Sequence, residues 1–258
     1  MTWSIKKIKN LQLSNPIFIE GLPGIGNVGK IAIDILVEEI KGQKVYELFS
    51  HQMPNSVFVN ESNMIELPKI EIFYKKIKNK DFLFLTGDSQ PVTEEASYEF
   101  AETILNLVQR FKVREIITLG GIGLNEIPKN PKVYCTGNSR ELMNDFKKFN
   151  ARTNVYGVIG PIVGISGLLL GLSQRRNIKA VSLLSETYGH PMYIGLRGAK
   201  EVLKILNSRY GFSISLKNLD KEIKSFEEDM SFQEPANLSE RAKRISKYKK
   251  YTDTSYIG

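Results

Sequence analysis

Short apolar runs rich in β-branched and aromatic residues recur along the chain and alternate with segments of helical periodicity. Two of them, residues 82–85 (FLFL) and 181–184 (VSLL), are almost continuously apolar. Strands of that kind are covered on both faces, as in a mainly parallel sheet. The alternation predicts an α/β fold, a three-layer α/β/α sandwich with a mainly parallel sheet. The predicted strands are 16–20, 44–49, 56–60, 69–74, 81–86, 115–119, 132–136, 154–159 and 180–185.

Helical periodicity predicts six helices, over 27–41, 93–111, 139–149, 164–174, 196–210 and 216–230. In the second of these, Phe100, Ile104, Leu107 and Phe111 fall on one face at helical spacing. The fourth is small and apolar throughout, and we expect it to be buried. Residues 47–74 show strands without a clear helix, which indicates a β-rich excursion or an antiparallel extension of the sheet.

Composition restricts the function. The chain has 258 residues, 41% of them hydrophobic, enough for a large core. One cysteine and two histidines exclude a disulfide framework and a structural zinc site of the usual ligands, so no metal is expected. No apolar run reaches membrane-spanning length and the first residues do not resemble a signal peptide, so a cytoplasmic protein is expected. The net charge of +8 is scattered and no recognition motif accompanies it, which argues against specific nucleic-acid binding.

The composition changes near residue 230. We predict that residues 1–230 form the α/β/α domain and that residues 231–258 form a basic helical extension and tail. In that extension Asn237 and Glu240 have the spacing of a helix N-cap and its third residue. The helix would run to about Lys250, with Leu238, Ala242, Ile245 and Tyr248 on one stripe.

A glycine loop, 20–30 (EGLPGIGNVGK), follows the first strand and fits two nucleotide motifs. Residues 24–29 match G-x-G-x-x-G, but Glu47, the candidate ribose acid, is followed by more apolar residues. Residues 24–30 match the start of the P-loop, but Ile31 stands where the magnesium-binding hydroxyl belongs. The residues favour a structural reading, in which the glycines let the first helix pack tightly on the sheet. Anion binding at the helix start remains the functional alternative.

Glycine-rich loops follow several predicted strands and would meet at one edge of a parallel sheet, where such sheets bind ligands. The polar candidates there are Asp88, Ser89, Gln90, Glu126, Glu186 and His190. Ser166 lies in a sequence close to a nucleophile elbow, with Leu168 in place of the last glycine. It is read either as a helix cap or as a nucleophile that meets His190 and an acid in space. Cys135, inside a strand, is predicted to be core.

Taken together, the loops resemble one known family. GLPGIGNVGKIAID, LTGDSQP, TLGGIG with a following P-x-x-P-x-V, GxxGISGLLLG and LLSETYGH occur in this order. They are similar to those of the proteasome assembly chaperone 2 family, with archaeal and bacterial homologues the best match in length. The resemblance spans about residues 17–229.

The resemblance implies an α/β/α sandwich of nucleoside-phosphorylase-like architecture with no established catalytic activity and no cofactor. It implies a homo-oligomeric assembly chaperone or adaptor that contacts proteasome α-subunits or related partners. Some archaeal members end in a hydrophobic–tyrosine–any tail that docks on those subunits. Here the candidate partner-binding residues are Tyr256, Ile257 and Gly258, with the tyrosine third from the end instead of second. The alternative is a nucleotide-binding or hydrolytic enzyme that uses the glycine-rich loops.

Overall fold

The computed structural model describes residues 3–60, 62–157, 159–191 and 193–231, which form one mixed sheet, a small hairpin and helices. The strands are β1 (Ser4–Lys7), β2 (Ile17–Gly21), β3 (Gln43–Phe49), β4 (Phe58–Val59), β5 (Ile65–Glu66), β6 (Ile70–Ile77), β7 (Lys80–Gly87), β8 (Glu115–Leu124), β9 (Val133–Gly137) and β10 (Ala180–Tyr188). The helices are α1 (Val28–Glu39), α2 (Glu94–Arg110), α3 (Arg140–Lys147), α4 (Ile165–Arg175), α5 (Leu196–Tyr210) and α6 (Lys217–Ser231).

The eight-stranded sheet has the order β1-β3-β6-β7-β2-β8-β10-β9. Its centre, β7-β2-β8-β10, is parallel, and the outer pairs are antiparallel. Because β2, β7, β8 and β10 run the same way, the loops after them meet at one edge, which we call the carboxyl edge. The extension through β3 and β6 is the antiparallel one predicted for residues 47–74.

Helices cover both faces of the sheet, which confirms the predicted α/β class. One core lies between the sheet and α1, α3, α5 and α6, and includes Ile19, Ile33 and Leu203. The other lies under α2 and α4, and includes Phe18 and Phe100. Because side chains alternate along a strand, the neighbouring residues Phe18 and Ile19 pack into different cores on opposite faces of the sheet.

Helix ends follow the local signals in the sequence. The side chain of Thr93 caps α2 by accepting from the backbone N–H of Ala96, and that of Ser139 caps α3 by accepting from Leu142. Gly211 ends α5 in the left-handed conformation, which costs glycine little.

Two sequence predictions are wrong. Within 154–159, the described residues form no strand, and Tyr156 is 98% exposed. The chain touches the sheet edge only where Arg152 bridges Tyr134 and then leaves it, so the apolar residues that follow have no neighbouring strand. Helix α4 is not buried throughout: Ile165, Leu169, Leu170 and Ser173 are, whereas Gly171 is exposed.

Candidate functional site

The glycine loop at the carboxyl edge is packed against backbone on several sides. Gly26 has φ +60°, and a Cβ there would lie 2.7 Å from Thr187 Oγ1. A Cβ on Gly29 would lie 2.2 Å from the Leu119 carbonyl oxygen, and one on Gly21 2.3 Å from the carbonyl oxygen of Gly29. The glycines are therefore needed where helix and strands approach closely, in agreement with the structural reading.

Lys30, which stands at the P-loop lysine position, belongs to an internal polar cluster. Lys30 is 6% exposed, and its Nζ lies 2.9 Å from Asp34 Oδ2 and 3.3 Å from Thr86 Oγ1. The Thr86 hydroxyl donates to Asp34 Oδ1 at 2.8 Å, and Asp88 lies 3.9 Å from Nζ. The ammonium is thus neutralised by protein carboxylates, and a phosphate would have to displace them.

The candidate ribose acid is in the wrong part of the sheet. Glu47 lies on β3, which is antiparallel to both β1 and β6 and is separated from β2 by β6 and β7. A dinucleotide fold needs that acid at the end of a parallel strand beside the glycine loop. The Glu47 carboxylate oxygen Oε2 instead lies 3.9 Å from Lys44 Nζ.

Ser166 meets a carboxylate that the sequence analysis did not select. Its hydroxyl donates to Glu20 Oε2 at 2.9 Å, and the backbone N–H of Leu22 donates to Oε1 at 3.0 Å. Glu20 is fully buried, and this desolvation raises its pKa to about 7 although both hydrogen bonds oppose the rise. The nucleophile hypothesis placed Ser166 with His190, but the Ser166 hydroxyl proton is directed to Glu20.

A polar row lies beneath α4. Glu20, Thr118 and Ser182 occupy neighbouring positions on β2, β8 and β10, and all three are 0% exposed. Farther along the helix, Asn138 donates to Ser173 Oγ at 3.1 Å. The sequence signal was the glutamate directly after the apolar run 16–19, which we interpreted only as the end of a strand and the start of the glycine loop.

Gln90 joins two loops of the carboxyl edge. Its Nε2 donates to the carbonyl oxygen of Pro23, and its Oε1 accepts from the backbone N–H of Ile165 at 3.0 Å. Asp88 accepts from the backbone N–H of Lys69 at 2.9 Å. These side chains therefore fix loops to one another.

The other polar candidates are dispersed. Glu186 accepts from the Lys132 N–H at 2.9 Å and from the Tyr134 hydroxyl at 3.1 Å. His190 stacks on Tyr188 with ring centroids 5.7 Å apart. Glu126 is exposed, and the buried Ser89 hydroxyl has no hydrogen-bond partner among the described residues.

Cys135 is a core residue, as predicted. It is 0% exposed, and burial raises the pKa of its thiol to about 12, so it is not a thiolate at neutral pH.

The surface of the carboxyl edge is apolar at several points. Ile25, Val92 and Val163 are 51%, 74% and 86% exposed. Gln90 bonds to Pro23 and Ile165. Ile25 lies two residues after Pro23, Val163 two residues before Ile165, and Val92 two residues after Gln90. This exposure suits contact with another protein better than contact with a small charged ligand.

Two further features bear on the kind of site. In the described ranges, no group of three or more histidine, cysteine, aspartate or glutamate side chains could hold a metal ion. No helix in this part of the chain has the length and apolarity to cross a membrane. Tyr256, Ile257 and Gly258, with the predicted basic helix before them, lie outside the described residues.

The chain is similar in sequence and in fold to several archaeal proteins. The uncharacterised protein MJ1210 of Methanocaldococcus jannaschii is 32% identical over 98% of this chain and 96% of its own length. The crystal structure of Pyrococcus furiosus PbaB, an archaeal proteasome activator, has a TM-score of 0.82 and 34% identity, covering 89% of this chain and 98% of that chain. Pyrococcus furiosus PbaA, an archaeal homolog of proteasome-assembly chaperone, has a TM-score of 0.73 and 26% identity, covering 88% and 90%.

A family model described as "PAC2 family" matches residues 18–234. This confirms the resemblance carried by the ordered loop motifs. The chain belongs to the PAC2 family.

Proposed function

We propose that this protein is a non-enzymatic assembly chaperone or adaptor for proteasome-type complexes and acts through protein–protein contacts as a homo-oligomer. The observation that carries the proposal is the match over most of the chain to PbaB, described as a proteasome activator. PbaA, described as a homolog of proteasome-assembly chaperone, supports the same assignment. A cytoplasmic location fits such a role.

The chemistry of the carboxyl edge supports a binding role over a catalytic one. The polar groups that an enzyme would use there are engaged with one another: Lys30 with Asp34, Ser166 with Glu20, and Gln90 with two loops. A nucleophile, a base and an oxyanion donor that converge on an open space are the minimum for hydrolysis. The described residues offer no such arrangement.

The surface supports contact with proteins. Large aliphatic side chains are more than half exposed at the carboxyl edge, and apolar side chains of this kind are available for contact with another protein. We infer that these residues meet either a second copy of the chain or a proteasome α-subunit.

The tail supplies a second contact in this proposal. Tyr256, Ile257 and Gly258 would enter a pocket on an α-subunit, and the basic segment 241–250 would draw them toward an acidic rim by long-range attraction. The tyrosine is displaced by one position from the family tail, so docking should be weaker than for a tail with tyrosine second from the end.

A pull-down with purified proteasome α-subunits tests the proposal. The full chain should retain α-subunits, and deletion of residues 251–258 should reduce the amount retained while fold and oligomer stay unchanged. A variant with the same eight residues in scrambled order is the matched control and should behave like the deletion. Failure of the full chain to bind α-subunits would overturn the proposal, whereas equal binding by all three proteins would move the contact to the folded domain.

A further inference from the structure

The β4–β5 hairpin presents an aliphatic face to solvent. Its strands pair with Phe58 opposite Glu66 and Val59 opposite Ile65. Because side chains alternate along a strand, Val57 and Leu67 continue the face that Val59 and Ile65 begin. The exposed fraction is 53% for Val57, 68% for Val59, 71% for Ile65 and 54% for Leu67.

Hydrogen bonds and an ion pair within residues 60–69 shape the turn of the hairpin. Asn60 donates to Glu66 Oε1 at 2.8 Å, and Asn60 Oδ1 accepts from the N–H groups of Ser62 and Met64 at 3.0 Å each. Glu66 also pairs with Lys69. The aliphatic face is therefore displayed on a turn with defined hydrogen bonds.

An uncovered face of this kind is unfavourable in water. Each exposed aliphatic side chain gives up the favourable free energy that burial of its exposed part would supply. Two strands of two residues each are also too short to be stable as an isolated hairpin. Both points favour a cover that is present throughout the life of the protein, such as another subunit, over a transient client.

The distribution of charge favours a second copy of this chain as the cover. The sequence has 36 lysines and arginines and a net charge of +8, yet none of these lies between Lys44 and Lys69. That segment carries Glu47, Glu61 and Glu66, and Lys44 and Lys69 at its two ends lie beside Glu47 and Glu66. Two copies of a basic protein repel each other least where positive charge is absent, and the hairpin is such a place.

We propose that Val57, Val59, Ile65 and Leu67 form a self-association face on which a second copy of this chain packs its own hairpin about a two-fold axis. An aliphatic face is its own complement, which is the requirement for an isologous contact. A stable contact buries about 800 Å² on each partner, more than four side chains provide. It therefore extends to Met64, 63% exposed, and to Val92, whose loop adjoins the hairpin base through the Lys69–Asp88 hydrogen bonds.

This inference rests on the homo-oligomer of the proposed function, and light scattering on the full chain tests the two separately. The natural chain should have at least twice the 29.3 kDa mass of one copy. Replacing Val59 and Ile65 together by aspartate should lower that mass by about a factor of two, because burying two unpaired carboxylates opposes association. Ile8, 45% exposed beside the start of β3 and so at the opposite end of that strand from the hairpin, is the control, and Ile8→Asp should leave the mass unchanged.

The outcomes separate the two claims. A monomeric natural chain would overturn the homo-oligomer and this face with it. An oligomeric natural chain whose mass the double aspartate variant does not change would overturn the face alone, as would an equal loss of mass in the Ile8→Asp control.

Crosslinking gives a second readout that does not depend on destabilising substitutions. Ile65→Cys lies near the proposed two-fold axis and should form a disulfide-linked dimer under mild oxidation. Cys135 is buried and contributes little background. The Ile8→Cys control should stay monomeric on a denaturing gel without reductant, and absence of a dimer for Ile65→Cys would contradict the face.

Discussion

Ser166 and Glu20 are 146 residues apart in the sequence, and the Ser166 hydroxyl donates a 2.9 Å hydrogen bond to the buried Glu20 carboxylate. The contact ties the first turn of α4 to the end of the central strand β2. The pKa of Glu20 is raised to about 7, so its charge changes within the neutral range. Stability should therefore depend on pH through this one group.

The Glu20→Gln variant should become more stable than the natural protein as pH rises. Below about pH 4.5 the carboxyl is neutral in folded and unfolded chains, and ionisation adds no cost. Between about pH 4.5 and 7 the unfolded chain ionises first, so the buried carboxyl costs stability that reaches about 3 kcal/mol above pH 7. Glutamine avoids this cost and accepts the same Leu22 hydrogen bond.

Urea unfolding at about pH 5 and about pH 8.5 measures the effect. The free energy of unfolding of the variant, relative to the natural chain, should rise by about 2.5 kcal/mol between the two, since part of the cost is already present at about pH 5. The exposed control Glu126→Gln should show no such rise. A Glu20→Gln difference that is the same at both values would contradict the raised pKa.

Ser166→Ala should destabilise the fold more at high pH than at low pH. The hydroxyl is a charge-assisted donor to Glu20 when the carboxyl is ionised, and its loss should cost about 2 kcal/mol there. In a Glu20→Gln background the same change should cost less, because no charge remains to be stabilised. A double-mutant cycle at about pH 8.5 checks this, and strict additivity would show that the hydrogen bond is energetically irrelevant.

Gly26→Val should destabilise the protein by about 2–4 kcal/mol, through positive φ and contact with Thr187. Gly24→Val is the matched control, because Gly24 has extended backbone and nothing lies within 4 Å of an added Cβ. Thermal unfolding should show a clear loss for the first and little change for the second. Equal melting temperatures would mean that the loop is not architectural.

The sequence allowed the layers and most elements to be predicted because burial there follows simple periodicity. Residues 82–85 are apolar on both faces and belong to a strand with a core on each side, and α2 (Glu94–Arg110) lies within the predicted helix 93–111. Residues 154–159 look equally strand-like, but a strand needs a neighbour, and local sequence does not say whether one is present. Edge strand β1 was missed because its exposed residues, Ser4–Lys7, carry no alternation of burial.

The candidate site was harder to predict because its contacts join distant segments. Asp88, Gln90 and Ser166 were considered as ligand or catalytic residues, and Ser166 also as a helix cap, and in the structure each holds a loop or helix in place. Glu20 was overlooked because its partner, Ser166, is distant in the sequence. Only the three-dimensional structure shows that the two side chains meet. Motif spacing indicates where glycine and polar residues gather, and only packing decides whether they face a ligand or one another.

Lys30 should prove to be a structural residue and not a nucleotide ligand. Calorimetry with ATP and magnesium should give no dissociation constant below about 1 mM, because Ile31 supplies no metal ligand and Lys30 is bound to Asp34. Lys30→Met should destabilise the fold by about 3 kcal/mol, since it removes the ammonium group that pairs with the 14% exposed Asp34 carboxylate. Adding Asp34→Asn should recover much of that loss, because the remaining amide still accepts from Thr86. Micromolar ATP binding that Lys30→Met abolishes without loss of stability would establish the nucleotide reading instead.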